Sequence, residues 1–184
     1  MEKKDIRIHM QTQRRKMPRK EIAKASSKIC QLIQMHPTYQ SSQTILFYAA
    51  INNEVNLNNL AAIALQAKKK VCFPKIEQEH LQAYQITSLN QLTRGTYGIL
   101  EPNTLHATLT DKKNIDLILI PALAYDKQGN RIGYGKGYYD HFLMHTNAHK
   151  MGIAFDFQII PSIPAESHDQ KVNSIVTQRS TLTC

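Results

Sequence analysis

An apolar run at residues 115–120 constrains the fold more than any other feature of this chain. It reads Ile-Asp-Leu-Ile-Leu-Ile and is followed by Pro121. Such a composition is typical of a strand that is buried on both faces of a sheet. Similar short runs occur at 44–48, 71–73, 83–86, 151–155 and 172–176. A sheet that is buried on both faces needs helices to cover it, so the pattern predicts an α/β fold.

Helical patterns fill the intervals between these runs. Residues 3–35 are predicted to be helical with one break near Met17 and Pro18, because a proline ends a helix or begins the next one. Residues 57–65 place apolar side chains at helical spacing, and 138–145 predict a further helix. The alternation favours a mainly parallel sheet in one domain over 1–184. The stretch 87–113 is predicted to form loops and short turns.

Charge and cysteine content narrow the class of protein. The net charge of +9 favours anionic partners, which include nucleic acid, a membrane surface and small molecules rich in phosphate or carboxylate. No apolar run is long enough to cross a bilayer, and residues 1–5 begin a polar segment without the apolar core of a secretory signal. Cys30, Cys72 and Cys184 fit neither a disulfide framework nor a zinc spacing. We therefore expect a cytoplasmic protein.

A glycine-rich segment at 129–140 has the clearest chemical meaning. It holds four of the seven glycines, at positions 129, 133, 135 and 137. Alternating glycines permit positive φ and let backbone N–H groups converge on an anion, and a helix that starts near Tyr138 adds its dipole. Arg131 and Lys136 add positive charge. The alternative is a tight loop without a ligand, but the combination favours a phosphate site.

This phosphate site differs from two common nucleotide-binding motifs. Lys136 is followed by glycine, whereas a phosphate-binding P-loop has Ser or Thr there. Tyr138 stands where the dinucleotide motif has its third glycine. The segment reads Gly-Asn-Arg-Ile-Gly-Tyr-Gly-Lys-Gly-Tyr-Tyr-Asp and strongly resembles the signature of the 5-formyltetrahydrofolate cyclo-ligase family.

The resemblance extends over roughly the whole chain. The segments that match the family in order are 3–7, 53–55, 98–102, 116–121 and 168–172. The resemblance implies a three-layer α/β sandwich of the type shared with sugar-phosphate isomerases and CoA transferases. It also implies an ATP- and magnesium-dependent conversion of 5-formyltetrahydrofolate to 5,10-methenyltetrahydrofolate, with release of ADP and phosphate. Such a phosphoryl transfer depends on positioning and charge neutralisation.

The family's sites carry over to matching positions of this chain. The positions implied to contact ATP are Lys3, Lys4, Arg7, Arg131, Gly133, Tyr134, Gly135, Lys136, Gly137 and Tyr138. Of these, the resemblance assigns catalysis to Lys136, Arg131 and Tyr138, with Lys136 nearest to the moving phosphoryl group. The positions implied to contact the folate are Ala49, Glu54, Tyr134 and Tyr138. Asp140 and Asp169 match the magnesium positions and are hard oxygen donors.

Structural roles compete with several of these assignments, and two other function classes remain open. Lys3 and Arg7 fit a solvated chain terminus, and Asp140 fits an ordinary acidic helix start. An enzyme that acts on a sugar phosphate or thioester would use the same glycine turn. A basic nucleic-acid-binding module would use the same charge, but no aromatic platform or known motif accompanies it. We expect a monomer that binds reduced formyl-folates, including polyglutamylated ones, and neither nucleic acid nor membrane.

Overall fold

The computed structural model describes residues 2–95, 98–166 and 168–184. The helices α1 to α5 span Lys3–Lys16, Arg19–Met35, Pro37–Ser41, Asn58–Gln66 and Tyr138–Leu143. The strands β1 to β6 span Thr44–Leu46, Lys70–Glu77, His80–Ile86, Leu92–Arg94, Leu100–Pro102 and Thr108–Thr110. The strands β7 to β12 span Leu117–Pro121, Ala124–Tyr125, Arg131–Ile132, His149–Ile153, Ser174–Val176 and Thr181–Thr183. The predicted break between the first two helices is confirmed.

An eight-stranded sheet in the order β12-β11-β10-β7-β1-β2-β3-β6 forms the centre of the fold. The central strands β11, β10, β7, β1 and β2 are parallel to one another, whereas β12, β3 and β6 pair antiparallel and lie toward the edges. Asp116 fixes the start of the two central strands, because its carboxylate accepts the Gln43 and Thr44 N–H groups at 2.8 Å. The predicted mainly parallel sheet is confirmed.

Helices flank both faces of the sheet, as double-sided burial requires. On one face, α2 and α4 pack against alternate strand residues such as Ile45 and Leu117. On the other face, Phe142 and Leu143 of α5 pack against the intervening residues, including Ile118. Because both sets of strand side chains are buried, the central strands read as continuous apolar runs in the sequence. None of the helices in the described residues has both the length and the apolar character that a bilayer crossing requires.

The sheet reverses its strand order next to β1, and this places the functional site. From β1 the chain passes through α4 to β2 on one side, while β7 pairs with β1 on the other side. Where neighbouring parallel strands are followed by connections that diverge, their carboxyl ends leave a crevice that typically binds the ligand. The loop after β1 and the segment after β7 both emerge at this point.

The prediction for the stretch 87–113 was wrong. It contains the β4–β5 hairpin and the edge strand β6, where loops and short turns were predicted. Strands of three residues are too short to show a periodicity, and their pairing partners hold them in place. The strand β7 begins at Leu117 and ends on Pro121, since Pro121 is still in register with Ile153.

Candidate active site

The chain reaches the glycine-rich segment through the β8–β9 hairpin, whose turn is built around Asp126. This buried carboxylate accepts the N–H groups of Gln128, Asn130 and Ile163 and the side-chain amide of Asn130, at 2.9 to 3.0 Å. Gly129 has a φ of 81°, and a Cβ there would lie 2.5 Å from the Val172 carbonyl oxygen. The turn therefore needs glycine at this position, independently of any ligand.

The segment Gly133 to Gly137, which we call the glycine loop, lies against α1. The Arg7 Nε atom donates to the Gly133 carbonyl oxygen at 3.0 Å. A Cβ at Gly135, whose φ is 92°, would lie 3.5 Å from the Arg7 guanidinium carbon. Gly137 has a φ of 72° and directly precedes α5. Two segments to which the sequence separately assigned ATP thus meet in space.

The two predicted magnesium positions both accept backbone N–H groups from residues close to Asp169 in the sequence, Glu166 and Gln170. Asp140 accepts the Arg131 guanidinium at 2.7 Å and the Gln170 N–H at 3.1 Å, both through Oδ1. Asp169 accepts the Glu166 N–H at 2.8 Å. Asp140 is therefore bonded to the residue that directly follows Asp169. Within the described ranges, no group of three or more His, Cys, Asp or Glu side chains is arranged to hold a metal ion.

Lys3 joins the start of α1 to Glu166 and Asp169. Its ammonium group lies 2.7 Å from Asp169 Oδ2 and 2.9 Å from Glu166 Oε1. Burial lowers the pKa of Lys3, but its hydrogen bonds to the two carboxylates outweigh that effect and the pKa lies above its usual value. Burial raises the pKa of Asp169, but the hydrogen bonds from Lys3 and from the Glu166 N–H together have the larger effect. The pKa of Asp169 therefore lies below its usual value. A pocket of about 430 Å³ opens here, lined by Glu2, Lys3, Lys4, Pro164 and Glu166.

A second group of charges, the Arg14 cluster, consists of Arg14, Glu54 and Tyr134. Arg14 and Glu54 are almost fully buried, and their closest charged atoms are 3.6 Å apart. The Tyr134 hydroxyl donates to Glu54 at 3.3 Å and also bonds the Arg14 guanidinium, which lies 5.6 Å from the tyrosine ring centre. Because Glu54 follows β1 and Tyr134 belongs to the glycine loop, the cluster sits at the switch point of the sheet.

Glu54 has a perturbed acidity within this cluster. Burial raises the pKa of its carboxyl group to about 7, although Arg14, the Ile51 N–H and the Tyr134 hydroxyl each lower it. A carboxylate whose pKa lies near neutral pH, placed at the carboxyl ends of central strands, is a common mark of a functional site. The predicted role of Glu54 is therefore consistent with its surroundings.

The remaining predicted residues fall into exposed and packed groups. Lys4 and Lys136 are exposed, and Ala49 is half-buried against the core cluster that includes Phe47. Arg131 is buried against Asp140 and the Tyr139 ring, with its guanidinium carbon 5.8 Å from the ring centre. The half-buried Tyr138 packs on the apolar cluster beneath α5.

The sequence analysis did not identify Arg14 as a site residue, although the spacing of residues in α1 indicates that it is buried. The buried residues of α1 are Ile6, Met10 and Arg14, which recur every four residues on one face. The first two pack on the β8–β9 hairpin. Arginine is rarely buried unless it is paired. A cation at the third position of an apolar stripe therefore indicates a buried charge with a specific partner.

The fold and site together define an α/β enzyme whose switch-point crevice combines a basic helix, a glycine loop and a buried carboxylate. The comparisons with known proteins sharpen this class. The model of the 5-formyltetrahydrofolate cyclo-ligase family matches residues 1–178. The chain belongs to this family, and the resemblance in its motifs is confirmed.

Individual relatives agree with the family match. A 5-formyltetrahydrofolate cyclo-ligase of Mus musculus is 29% identical over 192 residues, covering 97% of this chain and 94% of the relative. The solved structure of an Aquifex aeolicus 5,10-methenyltetrahydrofolate synthetase is 29% identical, with a TM-score of 0.90 over 100% of this chain and 93% of that one. A Mycoplasma pneumoniae 5,10-methenyltetrahydrofolate synthetase shares the fold, at 24% identity and a TM-score of 0.76, over 97% of this chain and 99% of that one.

Proposed function

We propose that this enzyme uses ATP and magnesium to convert 5-formyltetrahydrofolate to 5,10-methenyltetrahydrofolate, releasing ADP and phosphate. The observation that carries the proposal is the contact between α1 and the glycine loop, through the bond from Arg7 to Gly133, directly beside the buried Glu54. This arrangement places an anion-binding loop next to an acceptor for ring N–H groups, as a reaction between ATP and a folate requires.

The chemistry accounts for the residue types in the site. The formyl oxygen is a poor leaving group until the γ-phosphoryl group of ATP is transferred to it and ADP departs. The neighbouring secondary nitrogen of the folate then attacks the formyl carbon, loses its proton, and expels the oxygen as phosphate. The protein has to align the two substrates and offset the charge on the transferred group.

Each part of the site has a task in this reaction. Lys136 and Arg7 stand at the glycine loop, where they neutralise phosphate charge. Arg131 holds Asp140 in position. Glu54 accepts ring N–H groups of the folate, and the Tyr134 hydroxyl next to it contacts the same substrate.

The residues present fit a magnesium ion that is bound together with the nucleotide. Asp140 accepts the Gln170 N–H and Asp169 accepts the Glu166 N–H. One or two carboxylates are the usual protein share of a magnesium site, and substrate phosphates and water supply the rest. Asp140 and Asp169 would hold the ion, which when bound neutralises phosphate charge.

The setting of the enzyme is part of the same proposal. We propose that it works in the cytoplasm as a monomer and accepts polyglutamylated folates. The support for the last point is its net charge of +9, which favours capture of anionic substrates.

Absorbance of the methenyl product tests the proposal. Purified protein with ATP, magnesium and 5-formyltetrahydrofolate is expected to form the product, and omission of ATP to abolish it. Lys136→Ala is expected to lower kcat at least about 100-fold, because a phosphate-binding cation is removed from the transition state. Lys127→Ala removes an exposed lysine outside the glycine loop and serves as the control. A folded wild-type protein that forms no product would refute the proposed reaction.

A further inference from the structure

Arg14 has the contacts of a residue that organises the folate side of the site. It is 1% exposed, and its guanidinium reaches three separate parts of the chain. These are Glu54 in the loop after β1, the Tyr134 hydroxyl in the glycine loop, and the Ala122 carbonyl oxygen after β7, which lies 3.5 Å from Nη1. The Arg14 carbonyl oxygen also accepts the Asn53 side-chain amide at 3.1 Å. One residue thus connects α1 with the loop after β1, the glycine loop and the segment after β7.

Burial of an arginine only to hold segments together is energetically unfavourable. Removing a guanidinium from water carries a desolvation cost that only well-placed partners offset. Within the described residues, the Arg14 Nε atom is buried without a hydrogen-bond partner. An apolar side chain that continues the stripe of Ile6 and Met10 would pack there without this cost. The position of the charge is therefore better explained by what it does to Glu54 than by packing.

Arg14 is the cation that faces Glu54 among the described residues. The other groups near the Glu54 carboxylate are the Ile51 N–H in its own loop and the Tyr134 hydroxyl. The phenols of Tyr48, Tyr125 and Tyr139 also interact with its charge. Burial raises the pKa of each of these phenols, so they remain neutral around pH 7. Among the charged side chains around Glu54, Arg14 is therefore the one that opposes the effect of burial and favours the ionised form.

We propose that Arg14 is a positioning residue that favours the ionised form of the Glu54 carboxylate and aligns it with Tyr134, so that Glu54 accepts N–H groups of the bound folate ring. The inference rests on the proposed function, because that function makes the folate the ligand of Glu54. It goes further in assigning control of the folate side to a residue of α1, the helix that also carries Lys3 and Arg7 beside the ATP side.

The chemistry gives this role a pH signature. An ionised carboxylate only accepts hydrogen bonds, whereas a protonated one also carries a donor, which opposes a ring N–H. Without Arg14, the Glu54 carboxyl would ionise only at higher pH, since an opposite charge within 4 to 6 Å lowers a carboxyl pKa by about 1 to 3. Binding of the folate would then weaken at neutral pH and recover as the pH is raised.

Four variants test the proposal: Arg14→Met, Arg14→Lys, Glu54→Gln and the double variant Arg14→Met/Glu54→Gln. Arg15→Met is the matched control, since Arg15 is exposed on the same helix turn. The first measurement is the pKa of the Glu54 side chain in the ligand-free protein, by NMR of a 13C-labelled carboxyl group. Arg14→Met is expected to raise this pKa by about 1 or more, and Arg15→Met to leave it unchanged.

The second measurement is the pH dependence of KM and kcat. Arg14→Met is expected to raise KM for 5-formyltetrahydrofolate about tenfold at pH 7, with recovery toward pH 9, while kcat changes less than about threefold. Arg14→Lys is expected to restore part of the loss, because the charge remains and the fork is lost. The double variant is expected to share the KM of Glu54→Gln, since Arg14 acts through Glu54.

Defined results would overturn the inference. A folded Arg14→Met protein with an unchanged Glu54 pKa and an unchanged folate KM would refute it. So would a double variant that loses far more affinity than Glu54→Gln alone. A wild-type enzyme that forms no methenyl product would instead refute the proposed function, and the titration of the ligand-free protein separates these two failures.

Discussion

Replacing Glu54 by glutamine should make the protein more stable at neutral pH. Burial raises the pKa of this carboxyl from an ordinary value of 4.5 to about 7, even with Arg14 beside it. The folded state therefore disfavours the ionised form of Glu54, whereas in the unfolded chain this carboxyl group ionises above about pH 4.5. The linked loss of stability begins as the pH rises through 4.5 and is complete above pH 7. A difference of about 2.5 in pKa corresponds to about 3 kcal/mol.

Glutamine resembles the neutral acid, so the comparison with Glu54→Gln isolates this cost. The two proteins should differ by less than about 1 kcal/mol at pH 5 and by about 3 kcal/mol at pH 8, with the variant more stable. For a chain of this size, that corresponds to a rise in Tm of about 6 to 12 °C at pH 8. Urea unfolding followed by circular dichroism from pH 5 to 8 measures the difference.

A control and a refuting result are both available for this prediction. Glu79→Gln changes an exposed carboxylate and should alter the free energy of unfolding by less than about 0.5 kcal/mol at either pH. If Glu54→Gln were less stable than the wild type at pH 8, or if the difference did not grow with pH, the assignment of a costly buried charge would be wrong. The expected gain in stability should accompany a weaker affinity for the folate, as when a functional site is strained for its task.

Three further predictions follow from packing and charge. Gly152→Ala should destabilise the protein by about 1 to 3 kcal/mol in thermal unfolding, because a Cβ there would lie 2.7 Å from the fully buried Tyr125 ring. Asp126→Ala should cost about 3 to 5 kcal/mol in urea unfolding, because it leaves buried N–H groups without their acceptor. Asp169→Asn should raise the magnesium concentration for half-maximal activity at least about tenfold, with the folate KM unchanged.

Matched variants separate these effects from general damage. Gly133→Ala should cost less than about 1 kcal/mol, since the nearest atom to its Cβ would be 3.6 Å away. Asp126→Asn retains one acceptor oxygen and should destabilise less than Asp126→Ala. Glu166→Gln alters the other carboxylate that pairs with Lys3 and should leave the magnesium requirement unchanged. An equal effect of Glu166→Gln and Asp169→Asn on magnesium would contradict the assignment of Asp169 as a ligand.

The sequence alone was sufficient to predict the central strands of the sheet but not the strands at its edges. The run at 115–120 identified β7 because a strand that is buried on both faces has no polar alternation. The strands β6 and β12 contain three residues each and present exposed side chains. Pairing with β3 and β11 fixes their place in the sheet. A local sequence pattern does not contain this pairing information.

The same limit applies to the site. Arg7 and the glycine loop were recognised separately, but their contact spans 126 positions and is visible only in the fold. The pairing of Lys3 with Asp169 links a predicted ATP contact to a predicted metal ligand 166 positions away. Arg14 was not among the predicted site residues, although its four-residue spacing from Met10 places it on the buried stripe.

The bond between Lys3 and Asp169 has a consequence for how the enzyme is made. A ribosome adds about 5 to 20 residues per second, so on the order of 10 to 30 s separate the synthesis of these two partners. During that interval the central strands β1, β2 and β7 leave the ribosome before the segment that fastens α1. A nascent chain can therefore assemble part of the sheet, while the bond that fastens the start of α1 awaits the synthesis of Asp169. If this bond is needed for activity, catalytic competence should consequently appear only after Asp169 has been synthesised.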